Sequence, residues 1–269
     1  MNLENEFRFE SYGVKIGIEC DRIELLRRAE AVIRKSLVGK IKDIENSEVD
    51  HTFGITLDDN RTYTLYQNGE KNTHGDSERN FFKFFGSIIR LTVAEFARDL
   101  VFVHAGVVGW NGGAIVLPGR SFQGKTTVVA ELVRAGATYL SDEYAIFDEN
   151  GYVHSFPRPL AMRGIEGEYI QTDISVDELG GTFADGPLPV KMIVFTEFRE
   201  DAVWIPETLS PGLGIVEMVP HTIPIRFNPE FALKVLKIIV NRAIIAKSFR
   251  NDAKEFTKIL LNFFDITVV

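Results

Sequence analysis

Residues 119–127 read GRSFQGKTT, and this stretch decides how the rest of the chain is interpreted. It matches GxxxxGK[ST], a pattern in which glycines let the backbone curl so that consecutive N–H groups point at a bound phosphate. An apolar, β-branched run at residues 113–118 precedes it, and apolar residues at helical spacing follow from Thr127 to Gly136. Strand, glycine loop and helix therefore come in the order that a phosphate-binding loop requires.

In such a loop the lysine reaches the terminal phosphates, and the hydroxyl residue after it ligates Mg²⁺. The motif therefore predicts ATP and Mg²⁺ as cofactors. An ordinary glycine-rich turn between strand and helix is the alternative, and the flanking pattern argues against it. The predicted nucleotide site comprises Gly119, Arg120, Ser121, Phe122, Gln123, Gly124, Lys125, Thr126 and Thr127.

The composition is that of a globular protein with a sizeable core, since 45% of the 269 residues are apolar and 25% are charged. A net charge of −8 argues against non-specific binding to nucleic acid. The single cysteine, Cys20, excludes an intramolecular disulfide and a thiolate metal cluster. The chain has no basic and apolar leader and no apolar run approaching about 18 residues. We therefore expect a soluble, cytoplasmic protein that does not interact with membranes.

The first part of the chain predicts a small α+β unit. Alternating apolar residues predict one hairpin over residues 6–20 and a second over residues 51–67. Between them a helix is expected to extend to about residue 40, with Asp21 as its N-terminal cap. Nothing in this part of the sequence indicates a particular ligand.

A polar stretch at residues 68–80 predicts a linker, because it is almost free of apolar residues. It divides the chain into an accessory domain of residues 1–77 and a larger domain of residues 78–269. The larger domain would begin with a strongly apolar helix over residues 81–100, which we expect to be buried against the rest of that domain.

In the larger domain, Asn111-Gly112 between two apolar runs predicts a hairpin whose second strand leads into the loop. Further strands are expected over residues 138–147 and 191–196. Serine or asparagine followed by proline, and later an Asn-Asp pair, predict helix starts. The expected helices cover residues 210–220, 230–247 and 252–264.

The acidic pair Asp142–Glu143 follows an apolar stretch one helix after the loop. Adjacent residues on a regular strand point to opposite faces, so both can face the loop only if the strand has ended. We expect Asp142 to face the phosphates, where it would hold the metal through water or accept a proton from an attacking hydroxyl. Glu143 would assist at the metal. A solvated strand end is the alternative interpretation.

Five sequence blocks, in order across about residues 101–245, resemble the catalytic domain of the bacterial HPr kinase/phosphorylase family. The blocks are His104-Ala-Gly-Val-Val with the hairpin after it, the loop, Glu131-Leu-Val-x-x-Gly136 with Leu140-Ser-Asp142-Glu143, Leu160-Ala-Met-Arg163-Gly164, and Ile223-Pro-Ile-Arg226. The resemblance implies an α/β (mixed α+β) fold like that of HPr kinase and phosphoenolpyruvate carboxykinase. This fold has a P-loop core whose mixed sheet is flanked by helices, and here the small N-terminal α+β unit precedes it.

The resemblance also implies an ATP-dependent kinase that phosphorylates a hydroxyl, such as a serine of a small protein or peptide, or a small metabolite. Asp142 would be the base, with Lys125 at the phosphates. The resemblance puts His104 beside the transferred phosphate, and a core histidine bonded to backbone is the alternative. Arg163 and Arg226 would contact phosphate or the phospho-acceptor. The family forms hexamers, which leaves a homo-oligomer open.

This chain departs from the family pattern at several positions. Ala161 stands where the family has glutamate, Pro229 replaces an arginine, and Arg120 replaces an acidic residue. These changes put a reverse phosphorylase activity in doubt. A nucleotide-binding regulatory or scaffold protein without phosphoryl transfer is the competing hypothesis. A phosphoenolpyruvate carboxykinase is disfavoured by the short chain and by the lack of a recognisable second-metal set.

Overall fold

The computed structural model describes residues 5–45, 47–120, 123–164 and 171–268. The chain divides into two compact units, Met1–Arg98 and Asp99–Val269. Across the described residues no helix has both the length and the apolar character needed to cross a membrane. Each unit has its own mixed sheet flanked by helices, as the mixed α/β fold class predicted.

The first unit is a six-stranded sheet with two helices. Its strand order is β3-β1-β2-β4-β5-β6, with β2 and β4 parallel and the other neighbours antiparallel. The elements are β1 (Asn5–Ser11), β2 (Val14–Cys20), α1 (Ile23–Ser36), β3 (Lys42–Asp43), β4 (His51–Leu57), β5 (Tyr63–Gln67), β6 (Glu70–Gly75) and α2 (Glu78–Phe96). The two predicted hairpins are thus present as β1–β2 and β4–β5.

The predicted linker and domain boundary are corrected by the structure. Residues 70–75 form β6, whose side chains are mostly exposed because it is an edge strand, so its polar composition resembles that of a linker. Helix α2 then packs its apolar face, including Phe85 and Ile89, into the core of the first unit. The boundary therefore falls after Arg98, 21 residues beyond the expected one at residue 77.

The predicted cap of the first helix is also wrong. The N-cap residue of α1 is Arg22, without a side-chain cap bond, because the Asp21 carboxylate accepts the backbone N–H of Leu57 at 3.1 Å. A contact with β4, 36 residues away in sequence, thus takes the side chain that local sequence would assign to the helix.

The second unit is built on an eight-stranded mixed sheet. Its main order is β11-β10-β7-β8-β14-β16-β15, and β9 pairs with β7 beyond the end of β10. Strands β8, β14 and β16 are parallel, so their carboxyl ends lie at the same edge. The strands are β7 (Leu100–Trp110), β8 (Gly113–Pro118), β9 (Thr138–Ser141), β10 (Tyr144–Asp148), β11 (Tyr152–His154), β14 (Leu188–Phe198), β15 (Glu207–Thr208) and β16 (Ile244–Arg250), and a separate hairpin is formed by β12 (Leu160–Arg163) and β13 (Gln171–Ile174).

Helices cover both faces of this sheet. Helices α3 (Lys125–Arg134) and α6 (Ala253–Thr267) enclose one apolar core, while α4 (Pro211–Met218) and α5 (Pro229–Val240) enclose the other. The strands between them read as nearly continuous apolar runs because both of their faces are buried. Helices α4, α5 and α6 begin at side-chain caps from Ser210, Asn228 and Asp252, as predicted.

The prediction of one helix in this unit is wrong at its C-terminal end. The helix predicted over residues 230–247 ends at Val240, and residues 244–250 form strand β16. Two short apolar runs, 238–240 and 243–246, flank Asn241 and Arg242, and short apolar runs fit a buried helix or a buried strand equally well by periodicity. Pairing with β14 decides for the strand.

Candidate functional site

The glycine loop lies between the carboxyl end of β8 and the start of α3. Gly124 adopts the left-handed conformation, with φ of 74°, and α3 begins at Lys125. No side chain caps α3, unlike α2, α4, α5 and α6, so its first N–H groups are not satisfied by a capping side chain. These N–H groups, with the positive end of the helix dipole, provide a place for an anion. Ser121 and Phe122 lie outside the described residues.

The side chain of Lys125 folds back over the loop. Its Nζ donates to the carbonyl oxygens of Gly119 at 2.8 Å and Arg120 at 2.7 Å. Burial lowers the pKa of Lys125 to about 8, while the carboxylates of Asp142 and Glu143 act in the opposite direction. The ammonium therefore lies close to the acidic pair, as a phosphate-binding lysine between loop and metal ligands would.

Gln123 and Glu197 link the loop to the end of β14. The Gln123 Oε1 accepts the backbone N–H of Arg120 at 2.5 Å, and its Nε2 donates to the Glu197 carboxylate at 3.0 Å. A Cβ on Gly119 would lie 2.7 Å from that Oε1, so a larger residue there would displace the Gln123 side chain from the Arg120 N–H. Thr127 is exposed at the first turn of α3.

Asp142 and Glu143 lie in the turn between β9 and β10, where the strand has ended. The Ser141 hydroxyl accepts the backbone N–H groups of Glu143 and Tyr144 at 3.0 and 2.9 Å, which stabilises the turn. Because the residues are not on a regular strand, the alternation rule does not separate them, and both carboxylates influence Lys125.

The Asp142 carboxylate is buried and accepts hydrogen bonds on both oxygens. Tyr139 Oη donates to Oδ1 at 3.1 Å, and the backbone N–H of Ala161 donates to Oδ2 at 3.1 Å. The nearby Thr126 hydroxyl also favours the ionised form of this carboxyl and thereby acts to lower its pKa. Burial raises the pKa of Asp142, the Ala161 N–H opposes that rise, and nearby Glu143 adds to it. A buried carboxylate with a raised pKa beside a loop lysine and hydroxyl is the arrangement expected of a base or metal ligand.

Glu143 is held by an ion pair that the sequence did not indicate. Its carboxylate pairs with the Arg158 guanidinium, and the two side chains are 21% and 16% exposed. The Arg158 carbonyl also accepts from Tyr139 Oη at 2.9 Å. Tyr139 therefore joins the Asp142 carboxylate to the segment that carries the partner of Glu143, and the turn is held from both sides.

His104 is half-buried on β7, opposite Tyr144 of β10. Its carbonyl accepts the Gly119 N–H at 3.3 Å, which fixes the first residue of the loop to the strand. Burial lowers the pKa of His104 to about 4, the charge of Lys125 lowers it further, and Glu143 opposes the shift. The imidazole is thus neutral near pH 7. Its ring influences Lys125 and its backbone carbonyl holds Gly119. These contacts are compatible both with a histidine beside the transferred phosphate and with a histidine that has a structural role.

His221 is a site residue that the sequence left unassigned. Val103 forms an antiparallel bridge with Thr222, which makes His104 and His221 neighbours across the bridge. Burial lowers the pKa of His221, and the positive charges of Lys125 and Arg120 contribute. No local sequence pattern marks His221. It lies in the 3-10 turn Val219–His221, which is remote from the loop in sequence and comes close to it only in the folded chain.

The two predicted arginines are placed differently. Arg163 is exposed at the end of β12, beside residues outside the described ranges, and Arg226 is exposed at the end of a 3-10 turn over Ile223–Arg226. Within the described ranges, no hydrogen bond or ion pair joins Arg226 to the loop or to the acidic pair. Their predicted contacts with phosphate or an acceptor stay predictions.

Comparison of the chain with protein-family profiles and with curated proteins gives no match. Among solved structures, the HPr(Ser) kinase/phosphatase from Coxiella burnetii matches with a TM-score of 0.34 and 11% sequence identity. That match covers 61% of this chain and 94% of the other. The relationship is a distant structural one, and the function of the site has to be argued from its own residues.

Proposed function

We propose that the second unit is an ATP-dependent phosphotransferase that moves the γ-phosphate to a hydroxyl group. The acceptor class that we propose is a serine of a small protein or peptide, or a small metabolite. One observation carries the proposal: the buried Asp142 carboxylate lies close enough to the Thr126 hydroxyl and to the Lys125 ammonium to interact electrostatically with both. A lysine, a hydroxyl and a carboxylate thereby converge at the start of a helix that no side chain caps.

The loop would hold the triphosphate. The N–H groups at the start of α3 would bind phosphate oxygens, and the Lys125 ammonium would leave the carbonyls of Gly119 and Arg120 for the phosphates. Partial burial strengthens that interaction, since fewer water molecules screen the charge.

Thr126 and Asp142 are the residues that would hold Mg²⁺. Their side chains lie near each other, and both offer hard oxygen ligands of the kind Mg²⁺ prefers. In the described part of the chain, no group of three or more His, Cys, Asp or Glu side chains could hold a metal on its own. This fits magnesium, which usually takes one or two protein oxygens with substrate phosphates and water. Bound there, it would neutralise charge on the phosphates.

Asp142 would accept the proton of the attacking hydroxyl. The acceptor oxygen forms a bond to the γ-phosphorus, the bond to the β-γ bridging oxygen breaks, and the hydroxyl proton passes to Asp142 Oδ. A raised pKa makes Asp142 a better base than an exposed aspartate. Neutral His104 would donate or accept a hydrogen bond without adding charge. Arg163 and Arg226 would contact the phosphate or the acceptor, because one guanidinium group can donate two parallel hydrogen bonds to phosphate oxygens.

A second candidate function is a nucleotide-binding regulatory protein without phosphoryl transfer. The observation that favours it is the confinement of Asp142, which is 8% exposed and held by Tyr139 Oη and the Ala161 N–H. An acceptor hydroxyl must displace one of these donors to reach the carboxylate, which would hinder proton transfer to it.

The test is a nucleotide titration followed by a transfer assay with γ-phosphate-labelled ATP and Mg²⁺ on a panel of serine-containing proteins, peptides and hydroxylated metabolites. We expect Lys125→Ala to abolish binding, and Asp142→Asn to retain binding but to lose at least about 100-fold in transfer rate. Exposed Asp185→Asn serves as the control and should behave as the wild type. ATP binding without turnover, unchanged by Asp142→Asn, would establish the regulatory candidate instead, and intact binding by Lys125→Ala would overturn both.

A further inference from the structure

Arg250 is a buried arginine at the loop that no sequence motif marks. It is the last residue of β16, opposite Phe198 at the end of β14, and is 4% exposed. Because β8, β14 and β16 run parallel, their carboxyl ends meet at one edge, and β8 opens into the glycine loop there. Strand order thus brings a residue 126 positions later in sequence against Gly124.

The Arg250 guanidinium binds two consecutive carbonyl groups of the loop. Its Nη2 donates to Gln123 O at 3.2 Å and to Gly124 O at 3.3 Å, and its Nη1 donates to Asn251 O at 3.0 Å. A Cβ at Gly124 would lie 2.6 Å from Nη2. Glycine at this position therefore satisfies two demands, the left-handed φ of 74° and the close approach of the guanidinium.

This contact sets the direction in which the loop amides point. In a trans peptide unit the C=O and the N–H point in opposite directions. Since Arg250 binds the carbonyls of Gln123 and Gly124, the N–H groups of Gly124 and Lys125 in the same peptide units point away from it. Those are N–H groups that a phosphate-binding loop turns toward its anion.

The charge of Arg250 is not neutralised by an ion pair within the described residues. Burial lowers the pKa of Arg250, and Asp252 opposes the shift without bonding to it. The Phe198 ring lies 5.7 Å from the guanidinium carbon, and the buried Nε finds no hydrogen-bond partner among the described residues. A buried cation without a bound carboxylate leaves a positive potential that an anion across the loop can compensate.

We propose that Arg250 is the positioning residue of the phosphate loop. It holds the peptide groups at Gln123–Gly124–Lys125 with their N–H groups turned inward, and it adds positive potential for a polyphosphate. The part concerning the ligand rests on the proposed function, whereas the part concerning the backbone does not.

The test compares Arg250→Met, Arg250→Lys and the control Arg199→Met. Arg199 is also an arginine stacked on a phenylalanine ring, 3.7 Å from that of Phe249, but it is exposed and is not bonded to the loop. Two quantities are measured: amide hydrogen exchange of residues 124–128 without nucleotide, and ATP affinity by titration.

Arg250→Met should exchange the amides of residues 124–128 about tenfold faster and bind ATP about tenfold more weakly, while α5 keeps its protection. Arg250→Lys retains the charge but cannot hold both carbonyls as a guanidinium does, so it should lie between Arg250→Met and the wild type. Arg199→Met should match the wild type. If Arg250→Met does not fold, the same two measurements on Arg250→Lys decide the question.

The outcomes separate this inference from the proposed function. A wild type that binds no ATP overturns the proposed function, and loop exchange still tests the role of Arg250. A wild type that binds ATP, with a folded Arg250→Met that shows wild-type exchange and affinity, overturns the inference alone. A uniform rise of exchange across the second unit would show a general packing role and would also overturn it.

Discussion

The half-buried His104 predicts that the second unit loses stability in acid. The pKa of this imidazole is lowered to about 4, because burial and the charge of Lys125 disfavour its protonated form and Glu143 compensates only in part. His221, its neighbour across the bridge, has a lowered pKa as well. An unfolded histidine titrates near pH 6.5, so the unfolded chain binds more protons than the folded one between about pH 4 and 6.5. Stability from His104 is therefore complete above pH 6.5 and is lost as the pH falls through that window.

The size of the effect follows from the two pKa values. Between pH 7.5 and 4.5, the folded His104 stays mostly neutral while the unfolded one becomes almost fully protonated. The linkage relation then gives a loss of about 2–3 kcal/mol in the free energy of unfolding from this residue. Replacing it by glutamine, which cannot titrate, removes this contribution whatever the substitution does to packing.

The assay is urea unfolding followed by tryptophan fluorescence at both pH values. Both tryptophans, Trp110 and Trp204, lie in the second unit, so the signal reports that unit. His104→Gln should lose about 2–3 kcal/mol less than the wild type on acidification. Val103→Ala, a change at the fully buried neighbouring residue, is the control and should lower stability equally at both pH values. Equal acid losses in His104→Gln and the wild type would refute the reasoning.

Three further predictions concern residues around the loop and the last helix. Gly124→Ala should cost more stability than Gly112→Ala by urea unfolding, since both glycines have φ near 75° but only the first lacks room for a Cβ. A double-mutant cycle on Arg158→Met and Glu143→Gln should give a coupling energy of about 1–2 kcal/mol, between values for exposed and buried ion pairs. Asp252→Ala should destabilise the second unit by about 1 kcal/mol, because this side chain caps α6 through two N–H groups, and a fall in Tm by calorimetry would measure it.

The structure adds partners to the site that local patterns do not contain. The loop and the acidic turn each consist of a few adjacent residues and can be recognised from the sequence. Whether Asp142 and Glu143 could both face the loop depended on where the strand ends. The strand ends at Ser141, whose hydroxyl accepts the N–H groups of Glu143 and Tyr144. His221, Arg158 and Arg250 come from remote segments, so a sequence pattern offers no period or spacing by which to find them.

Misassigned elements have a related cause. The edge strand β6 is polar because one of its sides is solvated, so local composition matches a linker. β16 begins with a short apolar run at residues 244–246, and helix and strand are indistinguishable by periodicity in such a short run. In both places a neighbouring strand supplies the hydrogen bonds that decide the conformation, and that neighbour lies far away along the chain.

The features that were predictable from the residues alone are those that short-range chemistry controls. These are the hairpin at Asn111-Gly112, where both residues take positive φ, the strand–loop–helix order around Gly124, and the caps of helices α4 to α6. Tertiary structure alone decided where the first unit ends, that Glu143 pairs with Arg158, and that Arg250 holds the loop carbonyls. The physical reason is that turn and cap energies depend on residues within about four positions. Burial and charge pairing depend instead on which strands become neighbours in the sheet.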